Sequence, residues 1–190
     1  MIAAMRHCAG AALLLAATLP VTVAMAAADE RLPDGEVTLE IEGFTLYVTG
    51  TDGRPTHRLE GSRLREFGHD GPQLVDDPDL HMFDPDGIQW HWTAPMALHR
   101  PADEHLELLG DTRGVQPARA DRVETIIETR DVKVATDTRV ATSDALSTLT
   151  QPGFFQSGIG LRVDAQADTI ELFHDVYSLH SEPAEEGSNR

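Results

Sequence analysis

The sequence predicts an all-β protein, a sandwich or jelly roll of ten or more short strands. Three observations carry this reading. Apolar and polar residues alternate in segment after segment, the period-two signature of a half-buried strand. Gly, Pro and Asp clusters punctuate these segments at near-regular intervals, and no stretch of ten residues carries a helical period. The clearest segment is Asp86 to His99, in which Ile88, Trp90, Trp92, Ala94, Met96 and Leu98 fall on one face of an extended chain and Gln89, His91, Thr93, Pro95, Ala97 and His99 on the other. Both tryptophans of the protein lie on that one face. Burying such side chains is worth roughly 1.5–3 kcal/mol each, so this strand is the expected centre of the core.

The other elements follow in order. Val37, Leu39 and Ile41 alternate up to Gly43, and Phe44, Leu46 and Val48 resume the alternation, which reads as one strand bent by a bulge at the glycine. Thr51 to Pro55 is a hairpin turn with Gly53 supplying the positive φ. Thr56 to Phe67 is the return strand, and the mismatch of Leu59 with Leu64 places a second bulge near Gly61. Gly68 to Pro78 reads as a polar loop or short edge segment, followed by a strand at Leu80 to Phe83 and a turn at Asp84 to Gly87. After the tryptophan strand come His105 to Leu109, a continuation at Thr112 to Val115 beyond a bulge, and Val123 to Thr129 with Ile127 inward. Arg130-Asp131 is expected to break that strand before Val132 and Val134. Val140 to Thr142 and Leu146 to Thr150 are two short candidates, and the chain closes with Ile159, Leu161, Val163 and with Ile170, Leu172, His174, Val176 in alternation.

A chain of 190 residues is one domain by size, long enough for a continuous core. Residues 1–28 carry a short basic start, an apolar run and a small-residue site at Ala24-Met25-Ala26, the pattern of a secretory signal; the same run is also long enough for a single membrane anchor. Either way residues 32–180 form an exported domain, and 181–190 a polar, disordered tail. Cys8, the only cysteine, precedes the apolar run, so the exported domain has no disulfide. The formal net charge is −17 with a single lysine, Lys133, which excludes nucleic acid and anionic membrane surfaces as electrostatic partners.

Chemistry is not visible. The histidines nearest one another in sequence, His91 with His99, His99 with His105 and His174 with His180, lack the spacing of a zinc signature, and neither a metal nor a cofactor is expected. There is no nucleophile elbow and no glycine-rich phosphate loop. The carboxylates Glu40, Glu42, Glu124, Glu128 and Glu171 occupy outward strand positions, the pattern of a solvated face. A carbohydrate-active jelly roll would need two carboxylates about 5–9.5 Å apart across a cleft, which sequence does not reveal.

The order of turns and strands resembles the LptC family of lipopolysaccharide export. The resemblance rests on the D-x-x-G-type turn Thr51 to Leu59, the proline-led strand Pro78 to Phe83, the W-x-x-x-A element of Trp90 and Ala94, and Leu106 to Gly110. It continues through Thr129 to Val134, Thr142-Ser143, Ser157 to Asp164 and the final strand Leu172 to Tyr177. It implies an open, twisted β-jelly roll of two antiparallel sheets with an apolar groove for lipid A acyl chains. Leu39, Ile41, Phe44, Leu46, Leu59, Trp90, Trp92, Ala94, Met96, Ile127, Ile159, Leu161 and Val163 are the expected groove lining. Gly158, Gly160, Ile170, Leu172, Phe173, Val176 and Tyr177 form the expected edge at which an LptA-type protein docks by strand pairing. The inner-membrane LptB/LptF/LptG transporter would be the partner at the other end, and no catalysis is implied. The signal-like start leaves open a soluble LptA-like bridge protein of the same fold; a jelly-roll enzyme and a structural β-domain are the readings from other classes.

Overall fold

The computed structural model describes residues 31–50, 52–84, 87–103 and 105–181; the segment 1–28 and the tail beyond residue 181 lie outside them. The described chain is an antiparallel meander. Its strands are β1 (Val37–Thr49), β2 (Pro55–Phe67), β3 (Gln73–Asp76), β4 (Asp79–Asp84), β5 (Gly87–Thr93), β6 (Met96–His99), β7 (His105–Gln116), β8 (Thr125–Ala135), β9 (Val140–Gln151), β10 (Phe154–Asp164) and β11 (Thr169–His180). All eleven belong to one sheet, with β1 and β11 as its free edges.

A line of backbone interruptions crosses the sheet near the middle of its strands, with β2 running through it without a register shift. β2 pairs with β4 through His57 to Glu60 and with β3 through Arg63 to Glu66, in one unbroken register. β3 and β4 are therefore two halves of one strand parted at Asp77-Pro78, as β5 and β6 are parted at Ala94-Pro95. Left-handed residues mark the line: Gly43 (φ 59°), Asp77 (50°), Gly110 (84°), Asp131 (51°), Gly160 (79°) and Asp175 (48°). Contacts run along it from strand to strand. Ser62 Oγ donates to Asp77 Oδ2 at 2.8 Å, the Asp77 N–H to the Pro95 carbonyl at 3.0 Å, the Gly110 N–H to Asp131 Oδ1 at 2.9 Å, and Ser143 Oγ to the Arg130 carbonyl at 2.6 Å. A left-handed residue kinks a strand and re-aims its side chains, so this line acts as a crease along which the sheet folds over on itself.

Packing shows the result. One core cluster draws Leu80, Met82, Trp90, Trp92 and Ile127 from one side of the crease, and Val75, Ala97, Leu108, Val134, Leu161 and Val163 from the other. The two walls of the jelly roll are halves of a single sheet, held facing each other by Gln89 Nε2, which donates to the Ala165 carbonyl, and by Gln116 Nε2, which donates to Asp168 Oδ1 at 2.9 Å.

The crease corrects several expectations. At Gly43 and Gly61 there is no bulge, because the β1–β2 register runs unbroken from Leu39 to Val48. Gly61 is glycine for another reason: a Cβ there would stand 2.6 Å from Val75 Cγ1 and 2.7 Å from Phe44 Cε1. The stretch after Gly68 is no edge, since β3 pairs on both sides and buries Leu74 and Val75. Arg130-Asp131 does not end a strand; it is the crease within β8, and the two short candidates after it are one strand, β9. The bulge beyond Leu109 is present, with a register shift between Leu108 and Asp111.

Candidate functional site

The interior between the walls is plugged at its centre and open towards both edges. Trp90 and Trp92 stack at 5.4 Å between ring centroids and 21° between planes, and with Ile127, Leu161 and Val163 they are fully buried. These expected groove residues are core, with the ring of Trp92 lying over Gly114, where a Cβ would come within 2.5 Å of it. Ala94 is half-buried against the same core.

Towards β1 the walls part around a cavity of ≈ 300 Å³, lined by Leu46, Val48, Leu59, Leu64, Val75, Leu80 and Leu106. That lies at the lower end of the ~300–1,000 Å³ common for small-molecule sites. His57, His99, Asp103 and His105 also line the cavity. Leu46 opposes Leu59 and Ile41 opposes Leu64 in the β1–β2 pairing, so β1 extends this apolar surface towards its free edge. Phe44 is half-buried against the core, while Leu39, Ile41, Leu46 and Val48 remain exposed. An exposed apolar row of this kind on a terminal strand is rare without a partner or ligand. The sequence reading missed Val48, Leu64, Val75, Leu80 and Leu106 as lining; Val48, Leu80 and Leu106 stand in alternating apolar rows, whereas Leu64 and Val75 do not.

Towards β11 a wider opening of ≈ 760 Å³ is lined by Trp90, Leu149, Phe154 and Ile170 together with polar groups. Its cations are engaged: Arg119 grips Asp84 through two hydrogen bonds of 2.8 and 3.0 Å, and Arg122 lies 3.8 Å from Asp168. β11 exposes Phe173, Val176, Tyr177 and Leu179.

Four expected positions need correction. Met96 does not share the tryptophan face: the break at Pro95 puts Ala97 in the main core, and Met96 packs with Leu74, Leu98 and Leu109 in a second cluster that includes Leu32 and Phe67. Ile159 does not follow Leu161 inward, because left-handed Gly160 and a register shift separate them; it is 40% exposed, opposite Leu146. Gly158 and Gly160 are not edge residues, since β11 covers them. Both are glycines of close approach, where a Cβ would meet the His174 carbonyl oxygen at 3.1 Å and Phe173 Cδ2 at 2.9 Å respectively. Ile170 and Leu172 pack on the core, which leaves Phe173, Val176 and Tyr177 as the exposed members of the expected edge set.

His57 reports on the cavity. Burial, and then the charge of Arg139 on the facing wall, push its pKa down to about 4. The unfolded chain therefore takes up a proton near pH 6.5 that the fold refuses until about pH 4. Stability should rise with pH through that window, by up to about 3 kcal/mol from this group. Denaturant titrations at pH 4.5 and 7.5 on the parent and a His57→Leu variant check this: the parent should lose stability at the lower pH and the variant should lose markedly less.

Comparison with known proteins agrees with this geometry. No curated protein matches the chain. Among solved structures the chain is similar to LptH of Pseudomonas aeruginosa, described as the LptA-homologous periplasmic component of the lipopolysaccharide transport device. The TM-score is 0.53 at 10% identity, covering 66% of this chain and 95% of that one, a likeness of fold. The family model for lipopolysaccharide-assembly, LptC-related proteins matches residues 9–181, nearly the whole sequence, and the chain belongs to the LptC family.

Proposed function

We propose that this protein is a non-enzymatic relay in the periplasm that receives lipopolysaccharide from an inner-membrane LptB/LptF/LptG transporter and passes it to an LptA-type protein. The observation that carries the reading is the pairing of an apolar cavity with an exposed apolar row on β1 at one edge, and a second exposed row on β11 at the other. Acyl chains gain about 0.8 kcal/mol per methylene removed from water, and an acidic exterior of net charge −17 leaves burial as the driving force. Lipid enters beside β1 and leaves beside β11, where the partner continues the sheet. The likeness to an LptA homologue also supports a soluble bridge role on the same fold; an N-terminal sequence of the mature protein distinguishes the two, since retention of residues 1–28 would favour the anchored relay and cleavage the soluble bridge.

The test is binding of purified lipopolysaccharide at low and high salt. Hydrophobic burial is not screened by ions as charge pairs are, so affinity should fall only modestly with salt and should drop at least tenfold in a Leu59→Glu variant that stays folded. Absence of binding, or a steep loss with salt, would contradict the reading.

A further inference from the structure

We propose that Asp79, His81 and His91 bind one divalent transition-metal ion of the zinc class on the outer face of the wall whose inner face carries the tryptophans. Asp79 and His81 stand two apart on β4 and so share a face, and pairing with β5 sets His91 directly opposite His81. The third ligand thus comes from strand register, which is why no spacing signature announces it.

The geometry is convergent. The Nε2 atoms of His81 and His91 lie 2.6 and 2.8 Å from the same oxygen, Asp79 Oδ1, and the two rings are 4.3 Å apart. Asp79 Oδ1 and His91 Nε2 are buried with no well-aligned hydrogen-bond partner. His81 Nε2 meets an Arg58 N–H at 3.2 Å. Arginine only donates, so that nitrogen presents a lone pair. The three ligand atoms all lie within 4.8 Å of one another, and a cation that displaces Arg58 would take the lone pairs of both imidazoles and the carboxylate oxygen.

Two imidazoles and one carboxylate suit Zn²⁺, with a fourth position left for water. Ligand atoms ~2.0–2.2 Å from one ion stand ~3.0–3.5 Å from each other, so each histidine nitrogen needs to draw back from the Asp79 oxygen, now at 2.6 and 2.8 Å, by only roughly half an ångström. The Asp79 and His91 side chains are 36% and 34% exposed, which gives an ion a route in, while His81 at 10% is the fixed ligand. Arg58 is the competitor. Its Nε lies 3.2 Å from Glu60 Oε1, so the guanidinium keeps a partner when an ion displaces it from His81. The other histidine–carboxylate group, Asp103, His105 and Glu107, is a poorer candidate, since Arg100 pairs with both of its carboxylates at 3.7 and 3.2 Å.

Full-length protein stripped with chelator is titrated with Zn²⁺ alone in a calorimeter, and with Co²⁺ as a spectroscopic reporter of geometry. One ion per chain is expected, with affinity reduced at least 100-fold in His91→Gln and Asp79→Asn, unchanged in His105→Ala, and increased in Arg58→Gln. His91→Gln keeps size and polarity at a partly exposed position, and a circular dichroism spectrum equal to the parent's confirms its fold. Equal affinity in parent and His91→Gln, or loss in His105→Ala alone, would overturn the assignment.

Discussion

Trp92→Ala should cost about 3–5 kcal/mol, the usual range for deleting a buried tryptophan. The residue has no solvent exposure, it stacks on Trp90, and its ring fills the space left by Gly114. That loss is a large share of the ~5–15 kcal/mol by which domains of this size are stable, and at ~2–4 °C per kcal/mol it lowers the melting temperature by roughly 10 °C. Trp92→Phe should cost much less, because it keeps an aromatic ring over the glycine and removes an indole N–H that has no hydrogen-bond partner. Thermal unfolding of the two variants checks the pair. A loss under about 1 kcal/mol for Trp92→Ala would mean that the tryptophan strand is not the centre of the core.

The second large effect is on the partner edge. β11 pairs only with β10, so its other side is unpaired among the described residues. Ser157 opposes Tyr177 and Gln156 opposes Ser178, and along an antiparallel strand neighbouring N–H groups point to opposite sides. Of Tyr177→Pro and Ser178→Pro, one therefore removes a donor to β10 and the other a donor facing the open edge. The variant that keeps its melting temperature within about 2 °C of the parent should lose most of its binding to an LptA-type partner, at least tenfold in a pull-down titration. Undiminished binding by that variant would place the docking edge elsewhere.

Much of the fold could be read from period-two alternation, because burial of one face leaves a direct trace in residue order. The all-β class, the hairpin at Gly53, the bulge beyond Leu109 and the inward tryptophans all follow from it. What alternation does not carry is the crease. Pro95 and left-handed Gly160 exchange the faces of the residues on either side of them, so Met96 and Ile159 do not join the rows that simple alternation gives them. β3 went unrecognised because a strand of four residues, Gln73 to Asp76, holds only two apolar side chains. The cavity residues were partly legible, as Leu46 and Leu59 show, but Val75 and Leu106 reach it only because the far wall folds back over them. Gly158 and Gly160 show the limit in another form: a glycine in an alternating run signals close approach, and sequence does not say to which neighbour.

The central claim is that acyl chains travel on the inner apolar face, and two adjacent residues of β1 test it most directly. Leu46 and Tyr47 are 51% and 57% exposed, so a reactive group reaches solvent equally from either. Leu46 lines the cavity and Tyr47 lies on the opposite face of the strand. With a photo-activated crosslinking residue at each position in living cells, lipopolysaccharide should be captured from position 46 and not from position 47. Equal capture at both, or capture from position 47 alone, would contradict the account.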